Sequence, residues 1–395
     1  MAITKLTIEE FLLLAKDHPV FDVRSPGEFK HAHIPGAVSL PLFTDEERKV
    51  VGTAYKQESK QIAIKLGLQY FGVKMVKMVE EVEEKVRGTK YEVRTENNFT
   101  TGTSYLVPRT SNPVPRTSEI VLVHCWRGGM RSAGVAWLLD LYGFKVYTLV
   151  GGYKVYRQWV LNQFEKTYPI NIVGGYTGSG KTEILHALAR KNECMIDLEK
   201  LAGHKGSSFG NLGLPPQPSQ EMFENLLASE LKIMYDRCNA TEQVDTAPHN
   251  TQRPPVIWLE DESQRIGEVN IPSVFFQQMR TKKLFFLDIP FEERLNFITA
   301  YYGKFEKANL VNAIIRIKKR LGGLETKTAI NCLLEDNIKE CFSVLLKYYD
   351  KSYLKSLQNN RENFSSLFNK IEASTVNDEA NASHLLALTA KEKII

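Results

Sequence analysis

Residues 175–182 read GYTGSGKT, with an apolar run, INIV, at 170–173 before them and a helical pattern reaching residue 190 after them. The spacing is that of G-x-x-x-x-G-K-[ST], in the strand-to-helix context this loop requires. Few eight-residue stretches constrain a fold so tightly. The glycines let successive backbone N–H groups point inward at an anion, and the helix that starts near Lys181 adds the positive end of its dipole. Gly175, Tyr176, Thr177, Gly178, Ser179, Gly180, Lys181 and Thr182 are therefore the expected phosphate- or diphosphate-binding residues. Lys181 supplies a point charge, and the Thr182 hydroxyl suits a magnesium ion. ATP, GTP and a non-nucleotide diphosphate all fit such a cradle.

The loop demands a parallel α/β domain around it, expected over 165–300. PPVIWLEDESQRIG (254–267) supplies a strand ending in acids, and KLFFLDIP (283–290) another. Glu260, Asp261 and Glu262 at the first strand's end read either as magnesium-holding carboxylates or as a solvent-facing acidic turn. HKGSSFG (204–210) reads as a second phosphate loop using His204 and Lys205, or as a mobile surface loop. From 301 to 395 the pattern is helical. Residues 301–355 hold eleven Lys and Arg against six Asp and Glu, an excess that suits RNA phosphates or a plain solvated face. The polar tail, 370–395, is expected to be loosely held.

The first 160 residues form a separate α/β pattern. PVFDVR (19–24), EIVLVHC (119–125) and VYTLVGG (146–152) read as strands, and MRSAGVAWLLDLYGF (130–144) as a helix ending near Gly143. Thr7 with Glu10 has the form of a capping box, so the amino-terminal stretch reads as a first helix rather than a signal peptide. Residues 90–118 are a polar insertion in which VPRTS occurs twice. No run of 18 apolar residues occurs, so no membrane helix is expected. The five cysteines form no CxxC pair, which indicates neither a zinc site nor a disulfide framework, and a cytoplasmic setting is expected. The net charge of +5 permits an RNA partner without demanding one.

Cys125 ends the apolar strand and is followed by Trp126, Arg127, Gly128, Gly129, Met130 and Arg131. Two glycines allow backbone N–H groups to converge on the sulfur. Two arginines and a helix start add positive potential, and all of this favours a thiolate nucleophile. A lone strand-end cysteine is ordinarily just buried. Here the spacing Cys125-x5-Arg131 also matches cysteine-dependent phosphatases, in which the arginine clamps phosphate oxygens. The loop alone does not decide between sulfur-group transfer and phosphate-ester hydrolysis.

The upstream segment FDVRSPGEFKHAHIPGAVSLPL (21–42) resembles the rhodanese signature at Asp22, Arg24, Glu28, Phe29, His33, Ile34, Pro35, Gly36 and Ala37. Rhodanese-fold phosphatases keep the rival reading open. The resemblance implies a rhodanese domain over about 1–160, with Cys125 catalytic and with Asp22 and Arg24 supporting its loop. Fused to a phosphate-loop domain, the chain resembles the tRNA 2-selenouridine synthase family. LPLFTDEERKVVGTAYKQ (40–57), CWRGGMRSAGVAWLL (125–139), LVGGYKVYR (149–157), GGYTGSGKTEIL (174–185), DLEKLAGHKGSSFG (197–210), WLEDESQRIG (258–267) and RLGGLETKTAI (320–330) carry that resemblance. It implies a transferase that converts wobble 2-thiouridine of tRNA to 2-selenouridine. Selenophosphate is the selenium donor, and an S-geranyl intermediate is made from geranyl diphosphate. No cofactor is implied to be tightly bound. The partners implied are tRNA and, upstream, an enzyme that supplies selenophosphate.

Overall fold

A computed structural model describes residues 3–95, 119–242, 256–357 and 361–391. The chain divides into two compact units, Met1–Val160 and Leu161–Ile395. Among the described residues no helix is long and apolar enough to cross a membrane.

The first unit is built on five parallel strands: β1 (Thr4–Leu6), β2 (Val20–Asp22), β3 (Val38–Ser39), β4 (Ile120–His124) and β5 (Lys145–Leu149), in the order β1-β5-β4-β2-β3. β4 lies in the middle. From Val121 onward it is buried on both faces, as its unbroken Val/Leu run predicts. Its register sets His124 beside Asp22 of β2. The first helix, Ile8–Leu14, carries the expected capping box: Glu10 N–H donates to Thr7 Oγ1 at 3.4 Å and Thr7 N–H to the Glu10 carboxylate at 2.9 Å. Helix Met130–Tyr142 ends at Gly143, whose φ of 117° only glycine adopts freely. Met78, Val79, Val82 and Val86 line one side of helix Met75–Thr95 and join the core around Val123, Val135 and Leu139. That helix takes in the start of the predicted insertion. Residues 96–118, with both VPRTS copies, lie outside the described residues.

The second unit has its own parallel sheet, in the order β12-β11-β6-β8-β7. Its strands are β6 (Ile170–Gly175), β7 (Cys194–Ile196), β8 (Ile257–Glu260), β11 (Leu284–Asp288) and β12 (Phe368–Glu372), with a small hairpin of β9 (Arg265–Ile266) and β10 (Val269–Asn270) between. β6 is central, flanked by β8 and β11. Neighbours that leave to opposite sides open a crevice at a strand's carboxyl end, and ligands of open α/β sheets bind there. The helices from Phe291 to Leu357 close around Leu295, Ile298, Leu310, Ile314, Leu333 and Leu345.

The expectation of a loose tail is corrected. Residues 368–372 pair in parallel with β11 along its full length. Helix Asp378–Lys391 then buries Ala382 and Leu385 in the core that holds Val173, Ile184 and Leu188. The tail looked polar because an edge strand and a one-faced helix need few apolar residues, and Ile371, Ala373, Ala382 and Leu385 suffice.

Candidate functional site

Cys125 follows β4 directly, and its side chain is buried at the floor of the loop. The loop's shape is enforced from beneath. Tyr153 N–H donates to Cys125 O at 2.9 Å and Lys154 N–H to Trp126 O at 3.0 Å. These N–H groups belong to the first turn of helix Gly152–Phe164, so a helix terminus holds the loop's carbonyls away from the sulfur. Gly128 and Gly152, both at positive φ, make the two segments interlock. A Cβ on Gly152 would overlap Cys125 O and Gly128 N, and one on Gly128 would overlap Leu149 O.

With its carbonyls turned away, the loop offers donors to sulfur. Burial alone would raise the Cys125 pKa. The Ser132 hydroxyl, 3.2 Å from Sγ, and the backbone N–H groups of Ser132, Arg127 and Gly129 outweigh that effect, so the thiol titrates below its ordinary value. Burial pushes Cys238 and Cys341 up instead, Cys341 to about 12. The arginines behave differently from expectation. Arg131 donates from Nη1 to Glu28 at 2.9 Å, so a carboxylate shares its charge. Arg127 is exposed.

Asp22 and Arg24 are fully buried and bound to each other, Arg24 Nε lying 2.9 Å and Nη2 2.6 Å from Asp22 Oδ2. Arg24 also donates to Ala32 O at 2.7 Å, and its guanidinium lies 3.8 Å from the centre of the Tyr153 ring. His124 sits 3.8 Å from Asp22, with neither ring nitrogen hydrogen-bonded. Burial, and then Arg24, keep it neutral, although the Asp22 charge pulls the other way. The pair thus braces Tyr153, whose N–H holds Cys125.

The phosphate loop joins β6 to helix Lys181–Arg190. Gly175, Gly178 and Gly180 all have positive φ, and a Cβ on Gly178 would strike Ile298. Lys181 Nζ donates to Gly175 O at 3.2 Å, across the mouth of the loop. Ser179 Oγ is buried with no partner. Tyr176 and Thr177 are anchored by Arg294, which lies over the Tyr176 ring and donates to Thr177 O at 3.1 Å. Thr182 Oγ1 donates to Glu199 at 3.0 Å.

Glu199 had no role in the sequence reading, although it stands two residues beyond Asp197, just after β7. It is the centre of an acidic group. Its N–H donates to Glu260 Oε1 at 3.0 Å, while Glu260 Oε2 has no partner. Burial first, then the neighbouring carboxylates, raise Glu260 well above the carboxylate range; burial and Glu199 push Glu262 up to about 8. Lys181 pulls Glu199 and Glu262 back toward ionisation.

Asp261 does not stand with them. It is bound to Arg280 at 3.1 Å, to Arg361, and to Tyr353 Oη at 2.7 Å. It is buried among these partners and serves the packing of the helical layer, so the reading of these acids as a solvent-facing turn does not hold at this residue. Lys205 lies 4.1 Å from the Tyr301 ring centre, and its charge reaches Glu199. His204 Nδ1 has no partner. Arg316, in the basic segment, donates to Ser208 O and Asn211 Oδ1 and is exposed, as are Lys318, Lys319 and Arg320. No three His, Cys, Asp or Glu among the described residues converge as a metal cage.

Comparison with known proteins agrees with this division. A family profile described as the tRNA 2-selenouridine synthase AAA domain matches residues 168–383, and one for rhodanese-like domains matches 7–65. A protein of Bdellovibrio bacteriovorus named tRNA 2-selenouridine synthase is 32% identical over 388 residues, covering 88% of this chain and 90% of its own. One of the same name from Nitrosomonas europaea is 34% identical, covering 73% of this chain and 65% of its own. A third, from Hydrogenovibrio crunogenus, is 33% identical, covering 79% and 78%.

Proposed function

Since the chain belongs to the tRNA 2-selenouridine synthase family, we propose that it replaces the sulfur of wobble 2-thiouridine in tRNA with selenium. The observation that carries this reading is the Cys125 loop. It holds a nucleophilic sulfur among N–H donors, and its candidate clamp, Arg131, shares its charge with Glu28. Membership of the family favours chalcogen transfer over phosphate-ester hydrolysis, which the loop by itself leaves open.

In this reading selenophosphate is the donor: the Cys125 thiolate attacks its phosphorus, the P–Se bond breaks to release selenide at the loop, and water then hydrolyses the S-phosphate to phosphate and the free thiol. The second unit prepares the base. Geranyl diphosphate lies in the cradle of Gly175–Thr182, its phosphates on the backbone N–H groups, Ser179 Oγ and Lys181. The thiouridine sulfur displaces diphosphate from the geranyl carbon. The resulting S-geranyl group leaves more readily when selenium attacks C2. Thr182 and Glu199 would hold a magnesium ion, which would neutralise charge on the leaving diphosphate.

The test is mass spectrometry of nucleosides from tRNA incubated with the protein, selenophosphate and geranyl diphosphate. The expected product is 2-selenouridine. Cys125→Ala abolishes it and leaves S-geranyl-2-thiouridine accumulating. Equal loss of both products in a folded Cys125→Ala protein overturns the assignment of separate steps to the two loops.

A further inference from the structure

The side chain next to the nucleophile is an indole that the fold leaves uncovered. Trp126 is 37% exposed, while every residue from Val121 to Cys125 is buried. Exposing part of the largest apolar side chain beside a reactive sulfur is unfavourable for the free protein. It is also not slack. Lys154 N–H holds the Trp126 carbonyl, and the interlocked glycines prevent the loop backbone from shifting. The indole packs against Tyr153, ring centres 5.6 Å apart and tilted by 38°. Tyr153 is fully buried, with Arg24 against its ring and Tyr156 beside it at 5.8 Å. The indole therefore stands at the outer end of a buried column, Asp22–Arg24–Tyr153, in a fixed orientation. Two exposed cations are anchored near it along the backbone, Arg127 next in the chain and Lys154, whose N–H holds the Trp126 carbonyl.

A rigid aromatic face flanked by cations is how proteins hold an unstacked base and its phosphates. We propose that Trp126 is the stacking platform of the first unit. It receives a base of the single-stranded anticodon loop on its free face and so places the wobble uridine over Cys125, while Arg127 and Lys154 meet the adjoining phosphates. This rests on the tRNA reading above, and extends it by naming the residue that positions the RNA. It also gives the buried Asp22–Arg24 pair a task beyond shaping the loop, since the pair fixes the ring that fixes the platform.

The experiment uses the full chain and an anticodon stem-loop RNA carrying 2-thiouridine at the wobble position. Near-ultraviolet irradiation of the thiocarbonyl is followed by peptide mapping of the crosslink, and selenation is measured in parallel. Expected are a crosslink on the peptide holding Trp126 and a fall in kcat/KM of roughly 5- to 150-fold in Trp126→Ala, the range that losing one base–aromatic stack produces. Trp126→Phe, which keeps a ring, should recover most of it. The rate of Cys125 alkylation by iodoacetamide without RNA should be the same in all three proteins. Altered alkylation in Trp126→Ala would mean that the indole only supports the loop, and would overturn the proposal. So would undiminished selenation, or a crosslink confined to the second unit. If the unaltered protein does not modify the RNA at all, the functional reading itself fails, and the platform with it.

Discussion

Ser132 is the most direct probe of the thiolate. Its Oγ lies 3.2 Å from Cys125 Sγ and 3.1 Å from Gly129 O, yet it has one proton to give. With a neutral thiol, S–H donates to Oγ and O–H to Gly129. With a thiolate, the hydroxyl turns to sulfur and releases Gly129. A hydrogen bond to a charged group contributes about 1.5–3 kcal/mol and the neutral bond it replaces about 0.5–1.5. The thiol S–H is a weak donor whose bond to Oγ adds little to the neutral side, so the hydroxyl favours the thiolate by about 1–1.5 kcal/mol, or roughly 5- to 12-fold in its population. Ser132→Ala should lose that factor. The assay is the pH dependence of Cys125 alkylation by iodoacetamide, read by peptide mass spectrometry. The curve should move to higher pH, with the rate well below the midpoint reduced roughly 5- to 12-fold and the alkaline plateau within about twofold. An unmoved curve would refute the argument and assign the depressed pKa to the N–H groups of Arg127, Gly129 and Ser132 alone. The same depression has a sign in stability: the thiolate's contribution is fully present above the ordinary value of 9.0 and is lost as pH falls through the lower folded value. Ser132→Ala should shrink that contribution.

Two further predictions concern the second unit. Lys181→Ala removes a charge-assisted contact of about 1.5–3 kcal/mol, so diphosphate binding by calorimetry should weaken roughly 10- to 150-fold, and geranyl transfer should be lost while pre-geranylated tRNA is still selenated; normal geranylation would turn the cradle over to a nucleotide. Glu262, pushed to about 8, keeps its proton in the folded state where the unfolded chain has lost it, so stability should fall as pH rises from about 4.5 to about 8. Glu262→Gln should flatten that fall in urea melts, and an unchanged slope would place the buried proton on Glu199 or Glu260 instead.

Local chemistry was legible along the chain. Thr7 and Glu10 form their capping box, Gly143 ends its helix, and GYTGSGKT sits between β6 and its helix, because capping, positive φ and anion cradling depend on residues a few positions apart. The two α/β units follow from apolar runs alternating with helical patterns, and Cys125 was marked by the glycines and strand beside it. What required the folded chain involves partners far apart in sequence. Glu28 meets Arg131 across 103 positions, Asp261 meets Arg361 across 100, and β12 joins β11 after some eighty residues of helices. A charge's role depends on what neutralises it. The sequence shows that Arg131 and Asp261 are charged, and only the tertiary structure shows that each is already paired. In the same way the glycines at 151–152 read locally as a stop after a strand. Packed beneath the cysteine loop, Gly152 is the one residue small enough for Tyr153 to reach Cys125 O, because no side chain fits between two backbones in contact.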